Sequence, residues 1–162
     1  LDDFSHQEIE IIVAHELIHN RNHDIYKQIF VSFAASMFSF YFCNFFLGWA
    51  VNYFGYIEKY DIANVPVLSL LIVVANIILL PLQNGFSRRL EENADAGSIT
   101  ATNNAQGFIT MMAKLGKKNL SEFRPHKAIE FFLYDHPPIA SRIRMAQKFL
   151  HSETILQRPI KT

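Results

Sequence analysis

His15, Glu16 and His19 form an H-E-x-x-H pattern, the spacing with which a helix can hold zinc for hydrolysis. Side chains four residues apart lie one above the other on a helix face, so both imidazoles can reach one ion. Glu16 then lies beside the metal as a general base. A pattern this short also arises by chance, and two histidines can simply be polar residues on a solvated helix. The rest of the chain therefore has to supply a third ligand.

Two carboxylates far downstream are candidates for completing the site. Glu91 and Asp95 are four residues apart and share a helix face, whereas Glu92 is turned roughly 100° away. Catalytic zinc takes three protein ligands and keeps its fourth position for water, so we expect Glu91 to be the third ligand. We expect Asp95 to hold a ligand histidine through its free ring nitrogen. The alternative is an acidic helix start in which Glu91 pairs with Arg88.

The histidines require a helix, and the residues before them predict one. Ser5 and Glu8 form a capping box, with Ser5 at the N-cap and Glu8 at the third helical position. Apolar residues follow at helical spacing, and no Pro or Gly interrupts them before Gly48. His23 lies four residues after His19 and imitates a ligand by spacing, but a third ligand at Glu91 makes it unnecessary.

Two long uncharged stretches predict membrane-spanning helices. No Asp, Glu, Lys or Arg occurs between residues 27 and 58 or between residues 61 and 88. Residues 29–54 and 65–83 are each long enough to cross about 30 Å of hydrocarbon as a helix. The alternative is a pair of buried helices in a soluble core, where uncharged stretches this long are uncommon. The prediction is an all-α integral membrane protein with two transmembrane helices and a helical cytoplasmic catalytic part.

The bilayer itself would bring the two halves of the site together. The first span leaves the side that holds the histidines, and after a turn at 58–61 the second span returns and delivers Glu91. Basic residues near the spans are more numerous on the motif side (Arg21, Lys27, Arg88 and Arg89) than on the other (Lys59). The positive-inside rule therefore places the motif side in the cytoplasm.

The residues around the second span and after it carry weaker signals. Asn84-Gly85 predicts a bend or helix break near the interface. Residues 107–115 are weakly helical, and the polar segment 116–127, which contains Pro125, is typical of a loop. His136 then precedes two prolines and a final apolar pattern at helical spacing, so we expect it near the N-terminus of a last helix that carries Arg142.

Composition excludes some functions and bounds the chain. The 162 residues carry no net charge and half of them are hydrophobic, and no basic run is present, which argues against nucleic acid as a partner. The single cysteine, Cys43, permits no internal disulfide. Length predicts one domain over residues 1–162. Because the histidine helix begins almost at Leu1, we expect the sequence to be a fragment.

Taken together, these residues resemble the membrane-embedded zinc metallopeptidases that contain the CAAX prenyl endopeptidases and the HtpX heat-shock proteases. The matching elements are Val13-Ala14-His15-Glu16-Leu17-x-His19, Ser87-Arg88-Arg89-x-Glu91-x-x-Ala94-Asp95, and His136-Pro137-Pro138 with Arg142-Ile143. In order and spacing they cover residues 12–149. Asn119-Leu120-Ser121 and Pro81-x-x-Asn84 look more like the prenyl endopeptidase branch.

The resemblance implies a gluzincin site with one zinc ion per chain. The implied ligands are His15, His19 and Glu91, with Glu16 as the base, Asp95 as a supporting or proton-handling carboxylate, and His136 and Arg142 near the substrate and the developing oxyanion. It also implies further transmembrane helices before the motif. Ile18 stands where the family usually has Gly, so we expect it either to tighten helix packing or to narrow the cleft beside zinc.

The resulting prediction is a zinc-dependent membrane endopeptidase, similar to the CAAX prenyl proteases, that acts at the cytoplasmic membrane face. Its partners would be peptide or protein substrates, including membrane-bound ones, and the lipid bilayer. One alternative is HtpX-like quality control of misfolded membrane proteins. The other is a non-catalytic scaffold that retains a metal, against which the intact Glu16 argues.

Overall fold

The chain is helical throughout the part that the computed structural model describes, residues 3–55, 58–118, 122 and 124–156. The helices are α1 (His6–Arg21), α2 (Asp24–Phe54), α3 (Val65–Thr102), α4 (Ala105–Lys118), α5 (Lys127–Leu133) and α6 (Ile139–Leu156), with a 3-10 turn at Ile62–Asn64. No strand occurs among these residues, which confirms the all-α prediction. The branch signal Asn119-Leu120-Ser121 lies outside the described residues.

Helix α1 begins with the predicted capping box. The Ser5 backbone N–H donates to Glu8 Oε2 at 2.8 Å, and the Glu8 N–H donates to Ser5 Oγ at 3.3 Å. Lys114 Nζ, from α4, also donates to Glu8 Oε2, at 2.6 Å. Burial raises the pKa of Glu8, but the bonds from Lys114 and Ser5 outweigh burial and lower that pKa to about 2. The start of the histidine helix is thus capped and tied to α4.

Helices α2 and α3 are long and apolar enough to cross a membrane, as predicted. Only 6% and 11% of the residues in their most apolar windows are buried within the chain. Large aromatic side chains stand in the open, among them Phe30 (71% exposed) and Tyr41 (70%). Water disfavours a continuous apolar surface of this size, whereas a bilayer covers it. Helix α2 begins at Asp24, earlier than the predicted residue 29.

Helix α3 does not break where the sequence predicted. It runs for 38 residues through Pro81 and through Asn84-Gly85, so one rigid element carries both the second span and Glu91. Pro81 removes one backbone hydrogen bond, a loss that long apolar helices tolerate. The side chain of Asn84 donates to the Phe132 carbonyl at 2.7 Å instead of bonding to its own backbone, so the turn that Asn-Gly favours does not form.

Helices α4 and α6 pack on each other and against α1 and α3 to form the core. Helix α4 extends to Lys118, beyond the predicted end at residue 115, and α5 occupies a position that the sequence left unassigned. Of the segment predicted as a loop, residues 116–118 and Lys127 are helical. The core joins residues of four helices: Ile11, Ile99, Ala105, Phe108, Met111, Met112 and Ala146. This core holds α1 and α3 side by side, which places the site between them.

Candidate metal centre and active site

The close approach of α1 to α3 depends on Ile18 and Gly97. A Cβ built on Gly97 would lie 3.0–3.1 Å from three side-chain carbons of Ile18, so any larger residue would force Ile18 to shift. Ile18 fills the space between the helices and is not among the residues that line the clefts beside the histidines. Of the two expectations for this residue, tighter helix packing is the one that occurs.

Three predicted ligands, His15, His19 and Glu91, converge at this junction. Their ligand atoms all lie within 4.8 Å of one another. The Nε2 atoms of the two histidines are 3.1 Å apart. His15 Nε2 lies 3.5 Å from Glu91 Oε2, and His19 Nε2 lies 3.4 Å from Glu91 Oε1. Ligand atoms at bonds of about 2.0–2.1 Å around a tetrahedral ion are separated by about 3.3 Å. Two imidazoles and a carboxylate at these separations therefore fit a zinc ion.

The outer nitrogen of each histidine meets its own carboxylate. His15 Nδ1 lies 3.1 Å from Asp95 Oδ1, and His19 Nδ1 lies 2.9 Å from Asp24 Oδ2. A neutral imidazole that donates from Nδ1 keeps its Nε2 lone pair free for a metal. Burial lowers the pKa of His15, but its bonds to Asp95 and Glu91 outweigh burial and raise that pKa to about 9.

Arg142 of α6 closes the site from the side of Asp95. Its Nε donates to Asp95 Oδ2 at 2.6 Å and its Nη2 donates to Asp95 Oδ1. The same Nη2 lies 3.7 Å from Glu91 Oε2. Asp95 is only 1% exposed, so this two-point contact neutralises a buried carboxylate. Arg142 thus reaches the cluster, and it donates two hydrogen bonds to Asp95.

His136 reaches the cluster from the segment between α5 and α6. Its Nε2 lies 3.3 Å from Glu91 Oε1 and its Nδ1 lies 2.9 Å from Asp135 Oδ1. The bond to Glu91 raises the pKa of His136 to about 9, with a further contribution from Asp135. About half of this side chain is exposed, so it remains accessible to a substrate.

A clamp from α3 fixes the position of that segment. Arg88 Nη1 donates to the Glu130 carbonyl at 3.1 Å and to the Tyr134 carbonyl, while Asn84 holds the Phe132 carbonyl. The Phe132 and Tyr134 carbonyls lie at and just past the C-terminal end of α5, where a helix leaves its carbonyls without internal partners, and the Glu130 carbonyl also accepts from the Tyr134 backbone N–H. Arg88 is therefore engaged with α5, which differs from the alternative in which it pairs with Glu91.

Glu16 faces two clefts that meet at the cluster. It lines an open cleft of about 530 Å³ together with His19, Glu91 and His136, and it also lines a smaller cleft beside Arg142. The larger cleft continues along α2 and α3 through Ser32 and Gln83, and both of these residues also line a further groove between the two long helices. A polypeptide in the larger cleft would pass Glu16, His19 and His136.

The structure brings all seven predicted site residues to one place, and it adds one that sequence reasoning missed. That residue is Asp24, the first residue of α2. His23 is exposed, adopts a left-handed backbone with φ 56°, and does not belong to the cluster found among the described residues. The signal that pointed to Asp24 was weak, because a carboxylate five residues after a histidine shares no helix face with it.

Comparison with known proteins agrees with this geometry. The model of peptidase family M48 matches residues 1–150. A protease HtpX homolog of Ligilactobacillus salivarius is 32% identical over 88% of this chain and 55% of its own length. An uncharacterized metalloprotease, YhfN of Bacillus subtilis, is 29% identical over 91% of this chain and 35% of its own length. The chain thus spans about half or less of the length of these relatives.

These matches confirm the family resemblance, while the closer relation to the prenyl endopeptidase branch stays a prediction. The family match covers both the histidine helix and the helix that carries Glu91. By that match, and by the residues that converge between α1 and α3, the chain belongs to peptidase family M48.

Proposed function

We propose that this chain forms the catalytic part of a zinc-dependent membrane endopeptidase. The observation that carries the proposal is the convergence of His15, His19 and Glu91, with Glu16 one residue from the first ligand and facing the open cleft. A scaffold that only retained metal would need the three ligands but not a carboxylate in the position of Glu16.

The residues at the cluster divide the chemistry between them. Bound zinc would lower the pKa of a water molecule and polarise the scissile carbonyl. Glu16 takes the proton of the attacking water and passes it towards the leaving amine. Asp95 orients His15, and Arg142 orients Asp95. His136, accessible and 3.3 Å from Glu91, is placed to donate to the developing oxyanion.

The site would act on substrates at the membrane. Its cleft continues into a groove between the two apolar helices, and that groove is lined mainly by apolar surface, with a few polar side chains such as Ser36 and Asn76 among residues such as Phe40 and Ile72. Such a path suits a membrane-attached chain, as in a CAAX prenyl protease. The HtpX-like alternative, cleavage of misfolded membrane proteins, draws equal support from the groove and also from the names of the relatives.

The decisive test compares Glu16→Gln with Glu10→Gln. Glu10 lies on the same helix and is exposed like Glu16, but it lines neither cleft, which makes it a matched control. The full chain in lipid should keep one zinc ion in both variants, and only Glu16→Gln should lose peptide hydrolysis, by several orders of magnitude. Wild-type turnover by Glu16→Gln would overturn the proposed chemistry.

The ligand assignment has its own test. Zinc content should fall in Glu91→Ala and stay near one ion per chain in His23→Ala, because His23 lies outside the cluster. The opposite result would show that the three ligands are wrongly assigned.

Orientation can be read from Lys59, which lies at the other end of the spans from the histidines. In a chain with Cys43→Ala, a Lys59→Cys variant should react with an impermeant thiol reagent in intact cells, since we propose that the site faces the cytoplasm. Reaction only after the membrane is opened would reverse the orientation.

Substrate class can be separated with two peptides of one sequence, with and without a prenyl group. A prenyl endopeptidase should cleave only the first at a useful rate, whereas an HtpX-like protease should not distinguish them but should cleave an unfolded membrane protein.

A further inference from the structure

Asp24 is a buried charged side chain at the cluster to which sequence reasoning gave no role. It lies 2% exposed, although it begins a helix whose next five residues are all exposed. Its Oδ2 is 2.9 Å from His19 Nδ1, and its Oδ1 accepts from Lys27 Nζ at 2.8 Å. Both carboxylate oxygens are therefore engaged, one by a proposed metal ligand and one by a lysine at the surface.

The chain between the two helices is shaped so that this contact can form. Helix α1 ends at Arg21, and only Asn22 and His23 separate it from α2. His23 adopts a left-handed conformation, which is uncommon for a residue with a Cβ and is kept only where the surroundings compensate for it. The turn places Asp24 back against His19, which a continuous helix would not do.

We propose that Asp24 is a positioning residue for the metal centre: it fixes the tautomer and the orientation of His19, as Asp95 does for His15. This inference rests on the proposed zinc site. A carboxylate that accepts from Nδ1 keeps the proton on that nitrogen and directs Nε2 towards the metal, and removal of such a partner typically lowers metal affinity 10–100-fold. His19 would then be oriented by a carboxylate from α2, and His15 by a carboxylate from α3.

The position of Asp24 also links the metal centre to the first span. Asp24 is the first residue of α2, so the first spanning helix itself supplies the side chain that contacts the proposed ligand His19. Lys27, about half exposed, supplies a positive charge that balances the buried carboxylate without contacting the histidine. Asp24 and Lys27 can therefore be separated by mutation.

The test measures zinc affinity of the full chain in lipid nanodiscs by competition with a chelator. Asp24→Asn, which keeps the size of the side chain, should raise the Kd for zinc by about 10–100-fold. Lys27→Met, which leaves the His19 contact in place, should change it by less than about threefold. The melting temperature of the metal-free protein controls for a merely structural role, and Asp24→Asn should change it no more than Lys27→Met does.

A second readout follows the ring of His19 directly. In ¹⁵N spectra of the metal-free protein at a pH where the ring is neutral, the proton should reside on Nδ1 in the wild type and should distribute over both nitrogens in Asp24→Asn.

An unchanged tautomer, an unchanged Kd, or an equal loss of affinity in Lys27→Met would overturn the role of Asp24. Absence of zinc binding by the wild type would overturn the proposed function as well, whereas wild-type binding with an unaffected Asp24→Asn would overturn only this inference.

Discussion

From the packing of Ile18 against Gly97 we can predict how substitutions between α1 and α3 change the free energy of unfolding. In Gly97→Ala the added methyl would lie 3.0–3.1 Å from three carbons of Ile18, which is overpacking and costs about 1–3 kcal/mol. The same substitution gains about 1 kcal/mol from helix propensity. With Ile18 present we therefore expect a net loss of stability of up to about 2 kcal/mol.

The sign should reverse when Ile18 is shortened. In an Ile18→Ala background the new methyl meets no close neighbour from that side chain, so Gly97→Ala should stabilise by up to about 1 kcal/mol. The double-mutant cycle should thus give a coupling energy of about 1–3 kcal/mol. Gly85→Ala is a matched control on the same helix, because its methyl would meet only Arg88 Nη2, at 3.6 Å.

The assay is thermal unfolding of the metal-free full chain in one detergent, followed by circular dichroism. For a chain of this length each kcal/mol shifts the melting temperature by about 2–4 °C, so the coupling is measurable. Gly85→Ala should behave alike in both backgrounds. The same effect of Gly97→Ala in both backgrounds, within about 0.5 kcal/mol, would refute the view that Ile18 and Gly97 set the distance between the helices.

Four further predictions concern the cap of α1 and residues around the site. Because the pKa of Glu8 falls to about 2 in the folded chain from an ordinary 4.5, its stabilisation is complete above about pH 5 and is lost as the pH falls towards 2; Glu8→Gln should remove up to about 3 kcal/mol of this acid-dependent stability in unfolding titrations. Arg88→Met should release the segment after α5, so kcat should fall while zinc content stays normal, and unchanged kcat would argue against the clamp. His136→Ala should lower kcat and kcat/KM together, by about 10²-fold or more, without loss of zinc; a loss of thermal stability with normal turnover would instead make the residue structural. Arg142→Ala should cost about 3–5 kcal/mol of stability in addition to activity, since it leaves the carboxylate of Asp95 buried without its charge partner.

The parts of the site that sequence predicted are those governed by helical period and by hydrophobic length. The four-residue spacings of His15 with His19 and of Glu91 with Asp95 fix which side chains share a face, whatever packs around them. Two uncharged stretches of sufficient length then bring these faces to the same end of a helical pair. Neither inference needs knowledge of a particular contact.

The parts that sequence did not predict depend on contacts between distant segments. The break predicted at Asn84-Gly85 is absent because the Asn84 side chain donates to the carbonyl of Phe132, 48 residues away in the seven-residue helix α5. Asp24 was missed because one left-handed residue, His23, moves it off the helical register. The contact of Arg142 with Asp95 crosses 47 residues and is set by the docking of α6, which no local pattern encodes.

In the proposed membrane protease, the single continuous helix α3 would fix how far above the bilayer a peptide bond is cut. If the hydrocarbon ends near residue 83, Glu91 lies eight residues further along the same helix, about 12 Å higher at 1.5 Å per residue. An extended chain covers that height in roughly four residues at about 3.3 Å each. A substrate anchored in the membrane would then be cleaved at a set distance from its anchor, whatever its sequence there. Lengthening the helix by one turn between Gln83 and Glu91 would move the cut by about two residues.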